Sequence, residues 1–202
     1  MVGAQADDLT LLAGGFGFEA SELLGQLRLL LAQREGLIDE NRMALAWVVD
    51  FPLLEWSETE QRLVSMHHPF TSPRSEDLER LESDPASVRA QAYDLVLNGS
   101  EIAGGSIRIH DSSVQASIFR LLKISDDDAK MRFGFFLDAL EYGTPPHGGI
   151  AFGLDRIIAI LAGEPSIRDV MAFPKTAGAV DLMARSPSTV DKKQLRDLHL
   201  DN

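Results

Sequence analysis

The run AYDLVLNGSEIAGGSIRIH, positions 92–110, constrains the fold more than any other part of this chain. Two segments rich in β-branched and apolar residues flank Asn98-Gly99, the dipeptide best suited to a two-residue hairpin turn, because both turn positions must take positive φ. A ladder closed by that turn pairs Leu97 with Ser100, Val96 with Glu101 and Asp94 with Ala103. Side chains alternate along a strand, so Asp94 and Glu101 share a face as diagonal neighbours, about 7–8 Å apart at the backbone. Two carboxylates so spaced suit Mg²⁺ along a phosphate chain, because Mg²⁺ takes few carboxylates and completes its octahedron with phosphate oxygens and waters. Arg108 has the wrong parity for that face. A bulge at Gly104-Gly105 adds one residue, reverses the parity beyond it and turns Arg108 toward the acids. A guanidinium there can grip a carboxylate through paired hydrogen bonds. The spacing alone is weak, since charged residues on one strand face most often meet only solvent.

The rest of the chain reads as an α+β arrangement around this hairpin. Residues 1–44 form a separate small piece: Leu9–Ala13 is a candidate short strand broken by Gly14-Gly15. Leucines at 23, 24, 27, 30 and 31 predict a helix over Glu19–Glu35, stopped by Gly36. One helix and one strand bury little, so this piece is expected to continue from something upstream. ALAWVVDF (44–51) predicts a buried strand ended by Pro52, and RLVSM a further strand. Residues 69–91 predict a polar connection with one short helix. Helices are predicted over about 112–122 and from Asp126 to Tyr142. Ser125 and Asp128 form a capping-box pattern at the start of the second, and Gly143 stops it. A strand near Ile150 and a helix from Leu154 to Gly163 follow, and the polar tail from Ser186 is expected to be loosely attached.

Composition narrows the function classes. At 202 residues with 45% hydrophobic and 25% charged residues, the chain has ordinary globular proportions and enough length for one sizeable core. No apolar run approaches the roughly 18–20 residues a membrane-spanning helix needs. The start MVGAQADD is acidic where a secretory signal is basic and then apolar, so a cytoplasmic address with no membrane partner is the expectation. The absence of cysteine excludes disulfides and thiolate metal sites. A formal net charge of −12 argues against a surface that attracts nucleic acid all over, though not against a local basic path.

Three further motifs carry candidate chemistry. In His67-His68, neighbours on an extended segment point opposite ways and chelate poorly, which leaves a single imidazole to hydrogen-bond a substrate. GGIAFGLDR (148–156) passes from strand to helix through glycine and places Arg156 in the first helical turn, where backbone can approach an anion. It matches neither the dinucleotide-binding glycine pattern nor the P-loop. FPKT (173–176) says little by itself.

Taken together, YDLVLNGSEIAGGSIRIH, MHHPFTSP, YGTPPHGGIAFGLDR and RDVMAFPKT resemble, in order and spacing, the C-terminal half of bacterial-type aspartyl-tRNA synthetases, and WVVDFPLLEW is similar to that family's strand after its inserted domain. The likeness covers about residues 45–185. It implies a partial class II aminoacyl-tRNA synthetase core, an antiparallel sheet flanked by helices over 45–202, with 1–44 as the end of the inserted domain. GGIAFGLDR resembles motif 3 of the class; motifs 1 and 2 and the anticodon-binding barrel have no counterpart here. The resemblance further implies that Arg156 contacts ATP, with Gly153, Leu154 and Asp155 as the local ATP-binding turn. Glu101 binds ATP through Mg²⁺, with Asp94 as its acidic partner. Arg108 holds the side-chain carboxylate of L-aspartate and His67 touches the same amino acid. The implied reaction forms aspartyl-adenylate and transfers aspartate to tRNA in a homodimeric enzyme. This chain alone is expected to be inactive.

Two other readings compete: a non-catalytic module that keeps half a nucleotide site, and an aspartate-using amide ligase on the same fold. Joint presence of Glu101, Arg108 and Arg156 favours the tRNA ligase, since a module released from catalysis has no evident need for all three.

Overall fold

The computed structural model describes residues 3–15, 19–39 and 41–200. The chain divides into two compact units, Met1–Ala44 and Leu45–Asn202. In the first, helix α1 (Glu19–Arg34) forms where the leucine spacing predicts it, and Gly36 leaves it at φ 62°. No residue of α1 is buried. Residues 9–13 join no ladder among the described residues, so the expected strand does not form there; Leu9 and Leu12 stand in solvent.

The second unit contains the strands β1 (Leu45–Val49), β2 (Leu54–Ser57), β3 (Arg62–Ser65), β4 (Ala92–Leu97), β5 (Ser100–Ile107) and β6 (Gly148–Phe152). An all-antiparallel sheet runs β1-β4-β5-β6, and β2 pairs with β3 in a separate ribbon. The β4–β5 turn is the one read from sequence: Asn98 and Gly99 both take positive φ, 49° and 85°, the pairing a primed turn requires. Leu97 faces Ser100 and Val96 faces Glu101, but Leu95 then faces Ala103 and Asp94 faces Gly104. The extra residue is Ile102. The bulge therefore lies between the turn and the glycine pair, not at Gly104-Gly105, and Asp94 does not face Ala103.

The glycines serve another purpose. A Cβ on Gly105 would lie 2.0 Å from the Gly149 carbonyl oxygen, so its absence lets β5 and β6 close. A bulge anywhere upstream of Arg108 reverses its parity equally well, and the consequence for the site is unchanged.

β1 differs from expectation in burial. All five of its residues are exposed: it is an edge strand paired with β4, and among the described residues nothing covers either face. The core lies elsewhere, around Leu53, Leu54, Val88, Ala92, Ile109, Ile118 and Leu122. Burying each large side chain of this set contributes about 1.5–3 kcal/mol.

Helices α2 (Ser112–Leu121), α3 (Asp126–Glu141), α4 (Leu154–Ala162) and α5 (Lys192–Asp197) complete the unit. Asp111 caps α2 by accepting from the Ser113 and Val114 amides, and Ser125 caps α3 by accepting from the Asp128 amide. Gly163, at φ 70°, ends α4 in the left-handed conformation glycine adopts without penalty. The polar tail carries one short helix, α5, capped by Asp191, with no apolar stripe to announce it and no buried residue. The 69–91 connection holds two short 3-10 segments, Ser75–Arg80 and Pro85–Ser87. The first is clamped by buried Asp77, which accepts from the Arg89 side chain at 2.8 and 3.1 Å and from its amide at 3.1 Å, and also from Arg80. Those bonds hold the Asp77 carboxyl far below the usual range, the Arg89 side chain first among the causes.

Candidate active site

Because Ile102 is the bulge, Gly104, Ser106 and Arg108 follow Asp94 onto the face that Glu101 occupies. Asp94, Glu101 and Arg108 line one cavity of about 310 Å³, together with both histidines. The acids converge: a Cβ on Gly104 would lie 2.8 Å from Asp94 Oδ1 and 3.3 Å from Glu101 Oε1. Burial, and next the neighbouring Glu101 charge, raise the Asp94 carboxyl above its ordinary value, with His67 opposing.

Arg108 lines the same cavity. Its Nη1 donates to Ser106 Oγ at 2.8 Å and lies 3.4 Å from His68 Nδ1. His68 Nδ1 accepts from the Phe70 amide at 3.2 Å. Burial first, then the Arg108 and His67 charges, hold the His68 ring below its ordinary value, which keeps it neutral near pH 7. His67 packs edge-on against Phe51, ring centroids 4.9 Å apart. The two histidines do not diverge as an extended segment would require. The chain bends at Met66 and His67, past the end of β3, so both rings reach the cavity. Sequence reasoning chose His67 and missed His68, whose contact with Arg108 depends on that bend.

A second cavity of about 320 Å³ is lined by Glu101, Gly153, Asp155, Arg156 and neighbours. Gly153 stands before the first turn of α4 and donates its amide to the Ile102 carbonyl at 2.8 Å, tying the helix start to the bulge. Arg156 Nη1 donates to the Glu101 carbonyl at 2.7 Å and lies 3.7 Å from Glu101 Oε2. Leu154 is exposed and is not among the lining residues. Glu101 lines both cavities and joins them.

A third cavity, about 420 Å³, lies beyond Arg108 and His68, walled by Phe70, Phe133, Phe135 and Phe136. The run RFGFFL carried its phenylalanines in plain sight, but only the packing of α3 against Phe70 makes a pocket of them.

The family of class II tRNA synthetases (D, K and N) matches residues 16–177. The chain belongs to this family. Among the relatives of this class II synthetase chain, an aspartate–tRNA(Asp/Asn) ligase from Geotalea uraniireducens (strain Rf4) is 55% identical over 197 residues, 98% of this chain and 33% of the relative. An aspartate–tRNA ligase from Staphylococcus carnosus (strain TM300) is 50% identical over 200 residues, 99% of this chain and 34% of the relative. The chain thus spans about a third of the length of the curated relatives it matches. Among solved structures, the aspartyl-tRNA synthetase from Entamoeba histolytica aligns over 85% of this chain and 29% of its own, with TM-score 0.52 and 21% identity. The Entamoeba histolytica asparaginyl-tRNA synthetase in complex with asparaginyl-adenylate aligns over 68% and 26%, with TM-score 0.51 and 22% identity. At such identities the likeness is one of fold: mixed helix and antiparallel sheet, as in class II synthetases.

Proposed function

We propose that this chain supplies one side of the site at which an aspartate–tRNA ligase activates L-aspartate with ATP and passes it to tRNA. The observation that carries this reading is Glu101, a single carboxylate shared by a cavity lined by Arg108 and a cavity lined by Arg156. Adenylate formation needs such a junction, with an amino acid held beside a triphosphate. The relatives' names supply the amino acid and the tRNA.

In this reading Arg108 grips the side-chain carboxylate of aspartate by charge-assisted hydrogen bonds. An amide cannot satisfy the guanidinium in the same way, which disfavours asparagine. His67 and His68 line the amino-acid side, and burial together with the Arg108 and His67 charges works against a cation on the His68 ring beside Arg108. The α-carboxylate then attacks the α-phosphorus of ATP, an oxygen–phosphorus bond forms as pyrophosphate departs, and a hydroxyl of the tRNA's terminal adenosine later takes the aspartyl group and releases AMP. The chain's contribution is alignment and charge: Arg156 binds the nucleotide, and Gly153 and Asp155 shape the turn beneath it, with Leu154 the least engaged of the proposed ATP-binding residues.

The donor set fits Mg²⁺. Asp94 and Glu101 are hard carboxylates converging on one point, and among the described residues no cluster of three His, Cys, Asp or Glu offers a complete shell. That combination suits an ion whose remaining ligands are phosphate oxygens and water. When bound, Mg²⁺ neutralises phosphate charge. A homodimeric assembly and a cytoplasmic setting belong to the same proposal; among the described residues no helix is long and apolar enough to cross a membrane.

The test is ATP–pyrophosphate exchange by a polypeptide of the relatives' full length that carries this sequence. Exchange that depends on L-aspartate supports the reading. Binding of ATP and aspartate without exchange supports a non-catalytic module instead, and transfer of ammonia to aspartate an amide ligase.

A further inference from the structure

We propose that Gln115 is a positioning residue, holding the His67–Pro69 segment against the strand end that carries Arg108. The proposal rests on the reading of that cavity as the amino-acid side of the site. Gln115 lies on α2, four residues past the Asp111 cap, and is 1% exposed. Its Nε2 donates to the Pro69 carbonyl at 2.9 Å. The loop is tied at two further points: the Ile109 amide donates to the Phe70 carbonyl at 3.0 Å and the Thr71 amide to the His68 carbonyl at 3.1 Å. Ile109 is the residue after Arg108. The main-chain tie and Gln115 thus hold the histidine loop from two elements, one from the chain just past β5 and one from α2.

Global stability does not account for the amide. Gln115 Oε1 is buried with no hydrogen-bond partner among the described residues, and an unpaired buried acceptor costs at least as much as one hydrogen bond returns. A methionine of similar shape would fill the space as well. What methionine cannot do is hold the Pro69 carbonyl.

The experiment compares this chain with Gln115→Met by amide hydrogen exchange and by the His68 ring resonance at fixed pH, with Ile118→Val on the same helix as a packing control. Gln115→Met is expected to speed exchange at Phe70 and Thr71 by about tenfold, the loss of one net hydrogen bond, and to displace the His68 signal. Exchange at Tyr93 and Leu95 in the sheet should change less than about twofold, and the unfolding midpoint by a few degrees at most. Ile118→Val is expected to lower protection throughout without displacing the His68 signal. Should the methionine variant fail to fold, Gln115→Leu, which is smaller and has no donor, is read in the same way. Unaltered Phe70, Thr71 and His68 signals, or protection lost equally everywhere, overturn the proposal. L-aspartate affinity in the full-length polypeptide separates the two claims: a loosened loop with unchanged aspartate affinity leaves Gln115 in its role and removes aspartate from the cavity.

Discussion

The Arg156 side chain reaches back across the sheet to the main chain of Glu101, its Nη1 2.7 Å from the carbonyl oxygen and 3.7 Å from the carboxylate Oε2. One arginine on α4 therefore fixes both the backbone and the charge of the residue that joins the two cavities. Arg156→Ala removes the proposed nucleotide contact and this brace together. In pyrophosphate exchange the KM for ATP is expected to rise about 10- to 100-fold, the scale of a hydrogen bond from a charged group. The KM for aspartate should move only a few-fold. Unchanged ATP dependence would remove Arg156 from the site.

The glycine pair is expected to separate stability from function. A Cβ at 105 meets the Gly149 carbonyl, which is backbone and cannot swing aside, whereas a Cβ at 104 meets the ends of the Asp94 and Glu101 side chains, which can. Gly105→Ala should therefore cost about 2–3 kcal/mol in urea unfolding, near the upper end for overpacking. Gly104→Ala should cost less but weaken Mg²⁺-dependent ATP binding. Equal stability losses for the two variants would contradict this.

Asp77 gives a pH signature. Its folded carboxyl is held below its unfolded value, so the clamp on Arg89 contributes stability above the ordinary carboxylate range and loses it as pH falls below about 4. Asp77→Asn is expected to lower Tm at neutral pH, with the gap to wild type closing in acid. A gap independent of pH would mean that packing, not charge, holds the 3-10 segment.

Asp94 carries the opposite sign. Its folded carboxyl is raised, so ionisation there works against folding above the carboxylate range and is relieved as pH falls through it. Asp94→Asn is expected to raise Tm at neutral pH, to lose that gain in acid, and to weaken ATP binding at saturating aspartate. Thermal melts across pH check the first two.

The hairpin was legible because turn chemistry is local: Asn98-Gly99 sets the register of its immediate neighbours without help from the rest of the fold. The bulge was legible in its consequence but not its position. Glycine is a usual bulge residue, yet here Gly105 is required by the close approach of β6 and Gly104 leaves room for the Asp94 and Glu101 side chains, neither of which a local pattern announces. β1 was read as buried because ALAWVVDF is apolar, but burial depends on what covers a strand, and this one is an edge exposed on both faces. The second histidine, the aromatic cavity and α5 escaped for the same kind of reason: a bend, a helix docking and a polar helix leave no periodic signal. Helix caps at Asp111 and Ser125 are again local, and the structure has them at work.

The displaced bulge turns Arg108 onto the face of Asp94 and Glu101, where we propose that it receives the aspartate side chain. The most direct measurement is steady-state pyrophosphate exchange by Arg108→Gln in a full-length polypeptide carrying this sequence. The KM for L-aspartate should rise by at least about tenfold, the loss of one charge-assisted hydrogen bond, while the KM for ATP stays within about twofold. Equal losses for both substrates, or none for aspartate, would contradict it.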